Sequence, residues 1–328
     1  MSKKVFITGG GGYVGSALAD KLVEKGYRVT VLDLFLYGKN VFNHPKRINL
    51  VKGDIRNEKI LKKSIAGHDT VIHLACISND PSFDLNPDLG KSVNLDSFEP
   101  LIKISKDAGV KKFIYASTSS VYGIKKESEV TEKMKLEPLT DYSKYKAMCE
   151  DICLKYNSKS FKIIILRPAT VCGYSNRQRF DLVVNILTNL GFNKRTITVF
   201  GGAQLRPNIH IQDMVSAYLC SMENDKIFQK TENIYNVGFE NFPTLKLAEM
   251  VKSNLGADIN LKIEKTTDER SYHISSKKFS EVTNFEYSKN INDAISELKF
   301  AFENKKFINP LTNKLYFNIK MMNSVELK

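Results

Sequence analysis

"KVFITGGGGYVGSALADKL", residues 4–22, sets a short apolar run against a glycine cluster and then a stretch of helical period. Glycine spacing carries meaning in this context of strand, turn and helix, and little outside it. Gly9, Gly12 and Gly15 fall at G-x-x-G-x-x-G, with Tyr13 and Val14 between the last two. Glycine allows the tight turn, lets a diphosphate approach the backbone, and lets helix and strand pack closely. The helix start adds free N–H groups and the positive end of its dipole. The stretch reads as a phosphate cradle.

Outward from it, apolar runs alternate with helical patterns through the first half of the chain. "YRVTVLD" (27–33), "INLVKGD" (48–54), "TVIHLA" (70–75), "KKFIYAS" (111–117) and "KIIILRP" (162–168) read as strands. Segments 14–25, 57–66, 92–108 and 142–157 have helical period. Crossover helices imply parallel strands, and right-handed crossovers give a doubly wound α/β sheet of the Rossmann type. Asp33 ends the second strand, 18 residues beyond Gly15, where a carboxylate can accept from the adenosine ribose hydroxyls. Leu34 follows it, with no adjacent base for a 2′-phosphate, so NAD is expected over NADP. Asp54 and Ile55, in "GDIRN", fall within reach of the adenine, although Asp54 has the alternative of capping the helix that starts near Asn57.

After Pro168 the rhythm breaks. "FDLVVNILTNLGF" (180–192) predicts a helix, "ITVFGG" a strand, "AQLRPNIHIQD" a loop, and 291–304 a further helix. The expected organisation is a dinucleotide-binding domain over 1–172, to which 207–238 returns. A smaller mixed α/β substrate-binding lobe is expected over 173–206 and 239–304, and 305–328 has no evident role.

A net charge of +13 invites a nucleic-acid reading. The basic residues are scattered doublets such as Lys62–Lys63 and Lys277–Lys278, with no nucleic-acid module, so solvated faces are expected instead. The five cysteines are odd in number and scattered, which fits buried thiols in a reducing compartment and gives no metal site. No apolar run reaches the roughly 18 residues of a membrane span, and "MSKKVFITGG" lacks the features of a signal peptide. A cytoplasmic protein without membrane insertion is expected.

"DYSKYK" (141–146) places Tyr142 and Lys146 one helical turn apart, but Tyr122/Lys126 and Tyr316/Lys320 repeat that spacing. Taken with the cradle, Asp33, "HLA" (73–75), "YASTSSVYG" (115–123) and "LRPATV" (166–171), the chain resembles the extended short-chain dehydrogenases/reductases. Within them it resembles the nucleoside-diphosphate-sugar epimerase/dehydratase group, over roughly residues 3–300. The resemblance implies Tyr142 as catalytic acid/base, Lys146 as its partner on phenolate and nicotinamide ribose, and Thr118 as the catalytic hydroxyl. It places Leu74, Ala75 and Asn94 near the cofactor, and Pro168, Ala169 and Thr170 near its nicotinamide end. It makes Arg206 the substrate-diphosphate arginine and Arg270 a second clamp. Arg177, Arg179, Ser78 and Asn79 are further substrate candidates, and a homodimer is implied. His73 reads as a packed strand histidine.

A free tyrosine, with a pKa of about 10, is a poor base at neutral pH, and nearby positive charge is expected to lower it. The 4,6-dehydratases of the group carry a Thr-Asp-Glu run, where this chain has Thr118, Ser119 and Ser120. Elimination thus lacks its acids. Oxidation at sugar C4 followed by 4-epimerisation is the expected reaction. The alternatives are a net 4-dehydrogenase or ketoreductase of a hexose or heptose, and, from another class, a non-catalytic NAD sensor.

Overall fold

β1 (Lys4–Thr8) ends at Gly9, whose φ of 72° lies in the left-handed region. A Cβ on Gly9 would stand 2.5 Å from the backbone nitrogen of Ala75, and one on Gly15 2.5 Å from the Gly9 carbonyl oxygen. Bare backbone is what lets α1 (Tyr13–Glu24) start this close to the sheet. In this computed structural model, which describes residues 3–228, 233–267, 270–325 and 327, strands and helices then follow in turn, with several interruptions of the alternation. The remaining positions, including 229–232 of the segment expected to return to the first domain, lie outside the described residues.

The first half comprises β2 (Arg28–Asp33), β3 (Ile48–Lys52), α2 (Glu58–Ile65), β4 (Thr70–His73), α3 (Asp80–Phe83) and α4 (Pro87–Lys91). A π-helical turn, Ser92–Asp96, leads into α5 (Phe98–Asp107), then β5 (Lys112–Ala116), α6 (Asp141–Tyr156) and β6 (Lys162–Pro168). The second half runs β7 (Thr170–Cys172), α7 (Val183–Lys194), β8 (Thr196–Phe200), β9 (Leu205–His210), α8 (Ile211–Glu223) and β10 (Ile234–Val237). It closes with β11 (Glu240–Pro243), α9 (Thr244–Leu255), β12 (Asn260–Glu264), α10 (Lys277–Thr283), α11 (Ile291–Glu303) and α12 (Asn318–Met322).

Seven strands form one parallel sheet in the order β10-β6-β5-β4-β1-β2-β3. Register lines up Phe6, Val71, Phe113 and Ile163 in one row, and Ile7, Ile72, Ile114 and Ile164 in the next. Successive side chains leave opposite faces. The first row therefore packs under Leu61, Leu101 and Cys149 of α2, α5 and α6, and the second under Leu22 and Tyr218 of α1 and α8. Each fully buried side chain of this size contributes about 1.5–3 kcal/mol. A separate core joins α7, α9 and α11 to the two-stranded sheet β12-β8. A third sheet, β11-β9-β7, lies between these bodies in sequence and shares β7 with the exit of β6.

One expected loop is not a loop. Residues 203–213 contain β9, the middle strand of its sheet, and the start of α8. Pro207 argues against a central strand and hid it; β9 accommodates it while pairing with both β11 and β7. No helix among the described residues is long and apolar enough to cross a membrane.

Candidate active site

β1 lies between β2 and β4, so the connections depart in opposite directions there, and a crevice opens outside the carboxyl ends of the strands. A cleft of about 780 Å³ occupies that position. Gly9, Gly12, Val14 and Gly15 form its floor. Helix α1 starts from Gly12, with no capping side chain and no acid in its first turn, so its leading N–H groups remain for an anion. Tyr13 reaches the lining but spends its side chain inward, donating to the Gly173 carbonyl at 2.6 Å.

Asp33 accepts from the Gly11 and Phe35 amides at 2.9 and 2.7 Å, which fixes its carboxylate at the end of β2. Burial raises its pKa, the two amides oppose this, and Arg177 opposes it further. Asp54 does not cap α2; Asn57 does, accepting from the Ile60 amide. The Asp54 carboxylate is instead forked by Arg56 at 2.6 Å, which overcomes burial and holds it below the usual range. Ile55, Leu74 and Ala75 complete this wall.

At the other end of the cleft stand Thr118, Tyr142, Pro168, Ala169 and Thr170. Thr118 Oγ1 caps the short 3₁₀ turn Ser119–Tyr122 and lies 3.0 Å from Ser120 Oγ. Tyr142 enters on the first turn of α6, whose start is a capping box between Thr140 and Ser143. Lys146, one turn on, is buried at 4% exposure and is absent from the cleft lining. Its ammonium donates to the Ala116 carbonyl at 2.7 Å and stands 6.0 Å from the Tyr142 ring centroid. The expected lowering of the tyrosine is not what this environment produces. Burial pushes the Tyr142 phenol well above 10, Cys76 and Asp80 add to this, and Arg179 opposes it.

The two decoy spacings lie elsewhere. Tyr122 is buried, its hydroxyl bonded to Asn236 and Arg167, and Tyr316 packs in an aromatic cluster with Phe180 and Phe307. Asn94 is also absent from the lining. Both ends of its amide are spent on the backbone of Ile77, at 2.8 and 3.0 Å. It braces the segment after β4, whose Ile77 lines the cleft.

All four arginine candidates line the cleft, each already engaged. Arg206 donates to the carbonyls of Leu205 and Arg270. Arg270 pairs with Asp80 at 2.7 Å, and Asp80 accepts from Thr140, the cap of α6. Arg179 pairs with Asp181 at 2.8 Å and reaches Ser78. Arg177 lies over the Tyr37 ring, 3.5 Å from its centroid, and donates to Asn318. Ser78 and Asn79 are on the same wall, Asn79 capping α3 at a φ of 76°. Asp80, Thr140, Tyr37 and Asn318 were not foreseen; Asp80 followed two expected positions directly, whereas nothing in the sequence marked Asn318.

Fold and cleft together define a dinucleotide-binding protein of the doubly wound class. The sequence model of the NAD dependent epimerase/dehydratase family matches residues 5–238, and the chain belongs to that family. It is an enzyme family and NAD is its cofactor. An uncharacterised protein of Sinorhizobium fredii, y4nG, is 32% identical over 246 residues, which cover 74% of this chain and 58% of that protein. The chain thus spans little more than half the length of that relative. A UDP-glucose 4-epimerase of Lactobacillus helveticus is 28% identical over 276 residues, 78% of this chain and 83% of the relative. Among solved structures, a dTDP-glucose 4,6-dehydratase of Streptomyces venezuelae with NAD bound superposes with a TM-score of 0.83. The match is 21% identical and covers 94% of this chain and all of that one. The residues here fit NAD: a cradle that any Cβ would fill, an uncapped helix start and a fixed carboxylate at the end of β2.

Proposed function

We propose that the protein oxidises a nucleoside-diphosphate sugar at C4 and acts as a 4-epimerase. The observation that carries this reading is the convergence of Thr118 and Tyr142 on one end of the cleft, with Ser119 and Ser120 beside them where elimination needs acids. Of the four carboxylates on the lining, Asp80 and Asp181 are each held in an arginine pair, as is Asp54 by Arg56, while Asp33 is fixed by two backbone amides.

In this reading Thr118 holds the reacting hydroxyl and Tyr142 takes its proton. Tyr142 must be phenolate to do so, and Arg179 favours that form while burial opposes it. NAD, when bound, supplies the two-electron acceptor. Lys146, tied to Ala116, fixes the charge behind the phenol. The lobe built on α7, α9 and β8 carries the nucleotide end, with Arg206 and Arg270 toward its diphosphate. Homodimerisation belongs to the same reading.

A panel of nucleotide sugars incubated with catalytic NAD and followed by NMR tests the reaction. Inversion at C4 without net NADH is the expected result. Stoichiometric NADH would replace epimerase with dehydrogenase, and a 4-keto-6-deoxy product would replace it with dehydratase.

A further inference from the structure

The segment beyond residue 305, which carries no motif, reaches the cleft, where Asn318, Met322 and Leu327 are on its lining. Phe307, Tyr316 and Phe317 dock it in an aromatic cluster with Phe180 and Phe302. The Phe180 amide donates to the Tyr316 carbonyl at 2.8 Å, and Asn189 donates to the Pro310 carbonyl at 2.9 Å. From this anchor α12 crosses to the wall that carries Ser78 and Tyr37. Met322 and Leu327 join the apolar cluster that contains Ile77 and Tyr142.

Asn318 is the knot of that crossing, and it is 7% exposed. Its backbone amide donates to Asp181 at 2.9 Å, and its Nδ2 donates to Ser78 Oγ at 2.9 Å. Its Oδ1 accepts from the Tyr37 hydroxyl at 2.9 Å and from Arg177 Nη2 at 2.6 Å. Arg177 is itself 3% exposed, and its Nε and Nη1 have no hydrogen-bond partner among the described residues. Nη2 of the neighbouring Arg179 is in the same state. A buried N–H left unpaired costs about 1–3 kcal/mol, more when the group is charged. Two adjacent guanidiniums with three such nitrogens on a cleft wall call for an anion. Of the acids near Arg177, Asp33 already has both carboxylate oxygens bonded to backbone amides, and Asp181 is paired with Arg179 and with the Asn318 amide.

We propose that Asn318 is a positioning residue which holds Arg177, over Tyr37 and beside Arg179, as a binding group for a phosphate in the cleft. The C-terminal segment is then a wall of the active site. The phosphate belongs either to the dinucleotide or to the nucleotide sugar. The inference rests on phosphate binding alone and stands whether or not the reaction is epimerisation.

The test is binding, without turnover, by calorimetric titration of the full chain with NAD, UDP-glucose and inorganic pyrophosphate. Asn318→Asp keeps the oxygens that accept from Tyr37 and Arg177, so the fold should persist and the melting temperature should stay near wild type. Its charge, however, pairs with Arg177 and competes with phosphate, so affinity for one ligand should fall about tenfold or more. Asn318→Ala, which frees Arg177 without neutralising it, should weaken the same ligand less. A loss for NAD alone assigns the phosphate to the dinucleotide; a loss for UDP-glucose or pyrophosphate with NAD unchanged assigns it to the sugar nucleotide. Unchanged affinity for all three in folded Asn318→Asp overturns the proposal. So does an equal loss for all three with a collapsed melting temperature, which would mark a purely structural role.

Discussion

At the scale of single residues, the three Tyr-x-x-x-Lys spacings separate by environment and not by sequence. Tyr142 faces the cleft, while Tyr122 is spent on Arg167 and Asn236. Tyr142→Phe keeps the ring and removes the ionisable oxygen, so turnover should drop by about 10²–10⁴ with NAD binding retained. Tyr122→Phe should instead lower stability by roughly 1–3 kcal/mol, through the unpaired Arg167 and Asn236, with turnover per folded molecule preserved. Near-normal turnover in folded Tyr142→Phe, with chemistry limiting, would demote the residue. The raised phenol gives a second test. Arg179 is the cation that pulls it down. In Arg179→Ala the phenol must rise further, so the alkaline rise of kcat should move to higher pH; a kcat profile that stays in place or moves to lower pH would show that another group titrates. The pair itself was legible because flanking motifs gave it context. The direction of its pKa was not, since burial depth is set by how α6 seats against the loop after β4.

At the scale of elements, α3 and α4 were not read, and the expected helix 92–108 divides into the π-helical turn and α5. The strands of the first half and helices α1, α2 and α6 could be read to within a residue or two. Each is a local pattern closed by a local signal, such as Asn57 at the start of α2 or Thr140 at the start of α6. β9 could not, because what makes it a strand is pairing with β7 and β11, which arrive from either side in sequence. Just as illegible was the buried polar link between α6 and β6. Glu150 of α6 takes Arg167 of β6 in a fork, accepts also from Ser117, and through Arg167 reaches Tyr122. Arg167 and Glu150 are 3% and 2% exposed. The link holds the end of β6, where Pro168 to Thr170 face the cleft. Glu150→Ala strands a buried guanidinium and should cost about 3–5 kcal/mol in urea unfolding. Glu150→Gln, which can still accept, should cost less. A loss under about 1 kcal/mol for the alanine variant would mean that Arg167 finds another partner or water.

At the scale of the whole molecule, the parallel sheet and its crevice followed from strand–helix alternation, but the route of the C-terminal segment across that crevice did not. A wall made by side chains more than 130 residues apart, such as Asn318 with Arg177 and Asp181, leaves no period in the sequence. The same long-range closure buries His73 in the middle of the sheet. Its Nδ1 lies 2.7 Å from Thr8 Oγ1, and its ring is packed against Phe98 and Tyr115. Burial, reinforced by the charge of Lys146, lowers its pKa from 6.5 to about 3. Between those values the unfolded chain holds a proton that the folded protein excludes, so stability rises with pH across the window. The contribution is complete above pH 6.5 and is lost progressively as pH falls toward 3. One such group changes the unfolding free energy by about 1.4 kcal/mol per pH unit. Half-buried His68 is shifted the same way, so the wild-type slope contains both. Urea unfolding of wild type and His73→Leu at pH 7, 6 and 5 separates them. The substitution itself costs stability at pH 7, through the unpaired Thr8 hydroxyl. The gap between the two proteins should then close by roughly 2 kcal/mol on going to pH 5, because only wild type must keep His73 unprotonated against solvent. Parallel pH dependences in the two proteins would show that the acid sensitivity of the fold resides elsewhere.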